Sequence, residues 1–170
     1  MRELAFTSLA PLRAWRLFRV RADEGGWVLS APMYHDPDPP PWPRVASTAS
    51  CSEGHPAPAP GCRCGIYAVV DGSLDSLPGY LLDTAYDNDP WAYGEIACSG
   101  RVFVDERGVR AERAEVLRIA LAEWCWPDAA TLAAAKRLLA ERYAVPVSGL
   151  RDVPDWLTRN LRAQGPPGDL

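Results

Sequence analysis

The sequence predicts an α+β fold: a mainly antiparallel β N-terminal portion, a small barrel or a twisted sheet, with a pinned loop and a C-terminal helical segment. Three observations predict it. Short apolar runs bounded by Gly- and Asp-rich turns recur through the first two thirds of the chain. Four side chains with metal-ligand chemistry, Cys51, His55, Cys62 and Cys64, fall within one Pro- and Gly-rich stretch. Apolar residues then recur at helical spacing from Leu132 to Tyr143.

Taken in order, residues 14–21 place Trp15, Leu17, Phe18 and Val20 among arginines. Asp23-Glu24-Gly25-Gly26 is turn chemistry, and Trp27-Val28-Leu29-Ser30 returns, which predicts a hairpin. Residues 32–43 hold so many prolines that backbone donors are missing and a central strand is forbidden. An irregular loop is expected there, with Trp42 either packed on the chain's own core or docking a partner. Ile66-Tyr67-Ala68-Val69-Val70 reads as a strand leaving the Cys/His stretch. Residues 71–90 are a turn-rich acidic connection with one apolar island, Tyr80-Leu81-Leu82.

Residues 93–104 form the strongest strand pattern, with Ile96, Cys98, Val102 and Val104 on one face. A turn at residues 105–108 leads into residues 109–120, which start as a strand and carry enough helix formers to end in a helical segment. Glu106, Arg107, Arg110 and Glu112 are expected as solvated ion pairs. Asp128 can cap a helix over residues 129–143, with Leu132, Ala135, Leu139 and Tyr143 as its apolar stripe, widened by Leu138. A second short helix is expected from Asp152, with Pro154 in its first turn, and the Pro- and Gly-rich tail is expected to be unstructured. Domain organisation follows: a β-rich unit over residues 1–126 and a helical extension over 127–170 packed on it.

The chain has 170 residues and a formal net charge of −4. That length can bury a core without cross-links, and the acidic balance argues against a nucleic-acid platform. No run of apolar residues is long enough to span a bilayer. Met1-Arg-Glu-Leu-Ala-Phe does not begin a secretory signal, so a cytoplasmic location and reduced thiols are expected. The basic residues are 17 Arg and one Lys, Lys136, a composition expected of a GC-rich bacterial genome.

The spacing of the cluster is C-x3-H-x6-C-x-C. Three thiolates and one imidazole make a complete tetrahedral shell for zinc, and a closed shell leaves no position for water or substrate. The expected cofactor is therefore structural Zn2+. A disulfide or redox pair remains open, although Cys62 and Cys64 are too close in sequence to pair readily with each other. Zinc deaminases carry a Glu two residues after their first ligand and a Cys-x-x-Cys pair; His55 is followed by Pro56 and Ala57, and the late pair is Cys62-Arg63-Cys64. Cys98 is expected as a small core hydrophobe and Cys125, between Trp124 and Trp126, as packed rather than reactive. His35 is expected on a surface loop.

Two stretches resemble a set of small bacterial, largely actinobacterial, proteins of uncharacterised function. They are Cys51…His55-Pro-Ala-Pro…Cys62-Arg-Cys64-Gly65-Ile66-Tyr67-Ala68, and Gly94-Glu95-Ile96-Ala97-Cys98-Ser99-Gly100-Arg101-Val102…Arg107-Gly108-Val109-Arg110-Ala111-Glu112. The set commonly carries Trp where this chain has Ser99. The resemblance implies a shared fold around the cysteines and supplies no activity.

The functional expectation is a non-enzymatic, zinc-stabilised interaction or adaptor module with a protein partner. Trp42, Trp91 and Trp156, each beside a proline in a loop or at a helix start, are candidate anchors. Two other classes stay open. One is a zinc-dependent or pocket-based hydrolase-like enzyme. The other is a nucleic-acid-binding regulator using Arg13, Arg16, Arg19 and Arg21.

Overall fold

The computed structural model describes residues 4–32, 40–70, 90–105 and 108–149. His35, the island at residues 80–82, Glu106, Arg107, the helix expected from Asp152, Trp156 and the tail lie outside the described residues. The strands are β1 (Leu4–Asp23), β2 (Gly26–Ser30), β3 (Ser47–Thr48), β4 (Ile66–Ala68), β5 (Trp91–Asp105), β6 (Gly108–Leu121) and β7 (Val147–Gly149). Between β6 and β7 lie a short 3-10 helix, Glu123–Cys125, and one α-helix, α1 (Ala129–Tyr143).

The strands form one mixed, unclosed sheet in the order β2-β1-β5-β6-β3, with β4 and β7 also on β6. The pairings are antiparallel except β6 with β7, which is parallel. The outer edge of β6 is covered in succession by β4, β3 and β7. Beyond β4 the chain reaches back to β1, where Trp15 and Val69 exchange both backbone hydrogen bonds. Of the two forms expected, barrel or twisted sheet, the named strands leave the sheet open, and this single bridge draws its edges toward each other.

Three elements differ from the sequence reading. β1 begins ten residues earlier than the run at Ala14 suggests. Pro11 hides it, yet Pro11 falls in the register shift between Ser8 and Leu12, where a missing N–H leaves no ladder bond unmade. β6 stays a strand to Leu121 with no helical end. Its backbone is paired to β5 on one side and to short strands on the other, and that pairing outweighs helix propensity. β7 follows the helix directly, within the portion expected to be helical.

The face alternation of β5 is as read. Ile96, Cys98 and Val102 are buried in the main apolar cluster, with Val104 packed against it. A bulge lies between Ser99 and Val102. Gly100 sits there at φ +75°, and a Cβ would meet the Glu112 carboxylate at 2.9 Å. The bulge takes the Arg101 N–H off the ladder, and Glu112 Oε2 accepts it at 3.1 Å.

The helix follows its sequence signals closely. Asp128 Oδ1 accepts from the Thr131 N–H at 2.7 Å, and the chain leaves through Ala144 at φ 54°. Ala135, Leu139 and Tyr143 are buried in the same cluster as the sheet. The Tyr143 hydroxyl accepts from the Leu29 N–H and donates to the Trp42 carbonyl. Trp42, itself buried, donates its own N–H to the Leu29 carbonyl and packs edge-on against Phe18. Helix, β2 and proline-rich loop are thereby tied at one point. No helix among the described residues is long and apolar enough to cross a membrane.

Candidate metal centre

The loop from Ala49 to Gly65 leaves β3 and returns in β4, so both its ends are strands on β6. Its entry is fixed by the Ala49 N–H, which donates to the Glu112 carbonyl at 2.7 Å. A turn closed by the Gly54 N–H on the Cys51 carbonyl, 3.1 Å, folds His55 back toward Cys51. Ala57 and Pro58, joined by a cis peptide bond, are the buried residues of the loop. A second turn, Cys62 N–H to the Ala59 carbonyl, brings in the Cys-x-Cys arm.

These turns bring all four expected ligands together. The sulfurs of Cys51, Cys62 and Cys64 and a ring nitrogen of His55 lie within 4.8 Å of one another, and all four residues are half-buried. Cys51 Sγ is 3.3 Å from His55 Nε2 and 3.7 Å from Cys62 Sγ. All five cysteines are free thiols, so no disulfide links the cluster. His55 Nδ1 lies 3.3 Å from the Pro56 carbonyl. A carbonyl only accepts, so Nδ1 carries the proton there and the Nε2 lone pair faces the sulfurs. These four groups lie close enough together to hold a metal ion.

The electrostatics of the cluster are uneven. The Cys64 backbone N–H, joined by the neighbouring thiols and His55, holds the Cys62 thiol below its ordinary value. The Pro56 carbonyl, then Cys62, raise His55. At Cys51 the Glu53 N–H acts to lower the thiol, but burial and the two neighbouring sulfurs outweigh it and push it up. Three sulfurs at this spacing repel one another once ionised, and a cation between them removes that repulsion. Glu53 Oε2 stands 3.5 Å from His55 Nε2 on an exposed side chain, outside the four-ligand group.

Sequence reasoning missed what fastens this loop. Arg110 Nη1 donates to the carbonyls of two of the ligands, Cys62 and Cys64, the latter at 3.2 Å. Its guanidinium also stacks over Phe103, 5.1 Å from the ring centre. Arg101 Nη1 donates to the Pro58 carbonyl at 3.2 Å. Arg110 and Glu112 were expected as solvated ion pairs. Glu112 does face Arg113 at 3.9 Å, but its other oxygen serves the β5 bulge. The legible signal was alternation: Val109 and Ala111 turn into the core, which sends Arg110 and Glu112 together to the opposite face. Gly65, at φ +124°, lets the arm pass close beneath: a Cβ would lie 3.1 Å from Pro58 Cβ and 3.2 Å from Arg110 Cβ.

Beside the loop, Gly61, Cys62, Arg63, Tyr67, Asp105, Gly108 and Arg110 line an open groove of about 390 Å³. Tyr67 is exposed, and its hydroxyl donates to the Arg63 carbonyl.

The other candidates fall elsewhere. Cys98 is fully buried and burial pushes its thiol up to about 12; the half-buried Cys125 is pushed up to about 11 by the same cause. Trp42 and Trp91 are core residues rather than exposed anchors. The arginine strip is not a free basic surface. Arg13 pairs with Glu95 at 2.8 Å, and Arg16 is buried, donating to the Tyr67 carbonyl with its guanidinium over Phe18 and Trp42. In comparisons with known proteins, no family model, no curated protein and no solved structure matches this chain.

Proposed function

We propose that Cys51, His55, Cys62 and Cys64 form a structural zinc site, and that the protein is a non-enzymatic, zinc-stabilised interaction module of the bacterial cytoplasm. One observation carries the metal assignment. Zinc bonds of about 2.3 Å to sulfur and about 2.0 Å to nitrogen imply tetrahedral S···S and S···N separations of roughly 3.8 and 3.5 Å. Two of the six ligand pairs match these values, Cys51–Cys62 at 3.7 Å and Cys51–His55 at 3.3 Å, and all six lie within 4.8 Å. Three soft thiolates with one imidazole favour zinc over hard, oxygen-seeking cations.

A structural role follows from the donor set. Four protein ligands fill the shell and leave no position at which water could be activated. The ion would fix the loop on β6 and shape the groove between Arg63, Tyr67 and Arg110. That groove, with Tyr67 exposed at its side, suits a protein partner better than the buried tryptophans do. Of the four arginines behind the nucleic-acid reading, Arg16 is buried and Arg13 is paired with Glu95, which favours the interaction reading over it.

The test is metal content by mass spectrometry on protein purified without chelator, beside Cys64→Ser. One zinc per chain, lost in the variant together with part of the thermal stability, is the expected result. Wild-type protein without metal would overturn the reading.

A further inference from the structure

Of the sulfurs in the cluster, Cys51 and Cys62 approach to 3.7 Å, too far for a bond and close enough to become one. A disulfide needs a sulfur separation of about 2.05 Å, so side-chain rotation within the loop must bring the pair together by roughly 1.7 Å. Cys62 and Cys64 are differently placed. Both their carbonyls are held by one Arg110 guanidinium, which keeps that arm in register and opposes the tight ring a bond between them would need. Cys51 and Cys62 sit on opposite arms of the loop, and each is half-buried, within reach of a small oxidant.

We propose that Cys51 and Cys62 are an oxidation site at which a peroxide makes a disulfide and expels the metal. This inference rests on the metal reading above. The step balances. The two thiolates give up two electrons, the S–S bond forms, the peroxide O–O bond breaks, and two protons taken from solvent complete two molecules of water. Two of four ligands are then consumed. His55 and Cys64 remain, and two ligands do not hold zinc against water. A thiol reductant reverses the step by returning two electrons and both ligands.

The molecule carries its own control. Cys98 is sealed in the core, and burial pushes the thiol of the half-buried Cys125 up to about 11, so both stay protonated at neutral pH. Modification should therefore be confined to the loop.

The experiment treats the metal-loaded full chain with hydrogen peroxide and follows released zinc with a chromogenic chelator. Peptide mass spectrometry under non-reducing conditions then maps the bond. The expected result is one zinc released per chain with a Cys51–Cys62 disulfide, zinc uptake restored by a thiol reductant, and an unchanged response in a Cys98→Ala, Cys125→Ser double variant. Zinc retained at full occupancy under peroxide overturns this inference and leaves the metal site standing. So does release with a bond mapped to Cys64. A chain that holds no metal before peroxide is added overturns both readings.

Discussion

The loop at residues 49–65 and the sheet-and-helix body are ordered by different physics. In the body, Phe18, Val20, Leu29, Ile96, Ile119 and Leu139 are fully buried, so their contribution scales with apolar area removed from water. The loop is mostly exposed or half-buried and contributes only Ala57 and Pro58 to the interior. It is held by arginines on its carbonyls, and it gathers four side chains able to bind a metal at one point. Burial is spread over many side chains, so the body tolerates the loss of one. The proposed metal shell is concentrated, so on that proposal the loop would not.

The largest effect that could break this contrast is metal removal. Chelation, or Cys64→Ser, should raise amide hydrogen exchange throughout residues 49–65 while β5 and α1 remain protected. Equal loss of protection in β5 would show that the body depends on the metal too. Next is Leu139→Ala, which leaves a void in the core and should cost about 2–5 kcal/mol in denaturant unfolding. Metal content should not change, and a loss of zinc in that variant would couple the two regions.

Arg110→Gln sharpens the comparison from the loop side. It frees the Cys62 and Cys64 carbonyls without touching a ligand. Outer-shell losses of this kind weaken metal binding by about 10–100-fold, which a competition titration against a chelator of known affinity would read. An unchanged affinity would mean that the ligands alone set the loop. The smallest effect is in the helix cap. The Thr131 N–H, then its hydroxyl, hold Asp128 below its ordinary value of 3.8. A carboxyl depressed in the folded state contributes stability above its unfolded value, and that contribution fades as pH falls through the lowered folded value. The stability gap between wild type and Asp128→Ala should therefore be full near neutral pH and shrink in acid. A gap independent of pH would remove the charge from the cap.

Much of this was legible in the sequence. The grouping of Cys51, His55, Cys62 and Cys64 could be read because cysteine and histidine carry metal chemistry at any backbone geometry, and only their proximity had to be supplied by turns. The helix could be read because Asp128, the apolar period and the end near Tyr143 agree. The β5 face was plain because Ile96, Cys98, Val102 and Val104 keep even spacing along the strand on both sides of the bulge. What failed was non-local. The start of β1 is set by its pairing with β5 across Pro11, and the strand character of β6 beyond Glu115 comes from partners on both edges. The anchoring role of Arg110 lies in carbonyls more than forty residues away. Trp42 and Trp91 looked exposed only because proline-flanked positions suggest loops, and a loop residue can still pack inward.

The central claim is that four protein ligands close the shell. Cobalt(II) substitution tests it most directly, because the intensity of its ligand-field bands reports coordination number and its near-ultraviolet bands report thiolate bonding. A closed Cys3His site should give intense tetrahedral bands with thiolate charge transfer, unchanged by added azide or cyanide while the protein stays folded. Weak five- or six-coordinate bands, or a spectrum that shifts on adding azide, would reveal an open position and contradict the account.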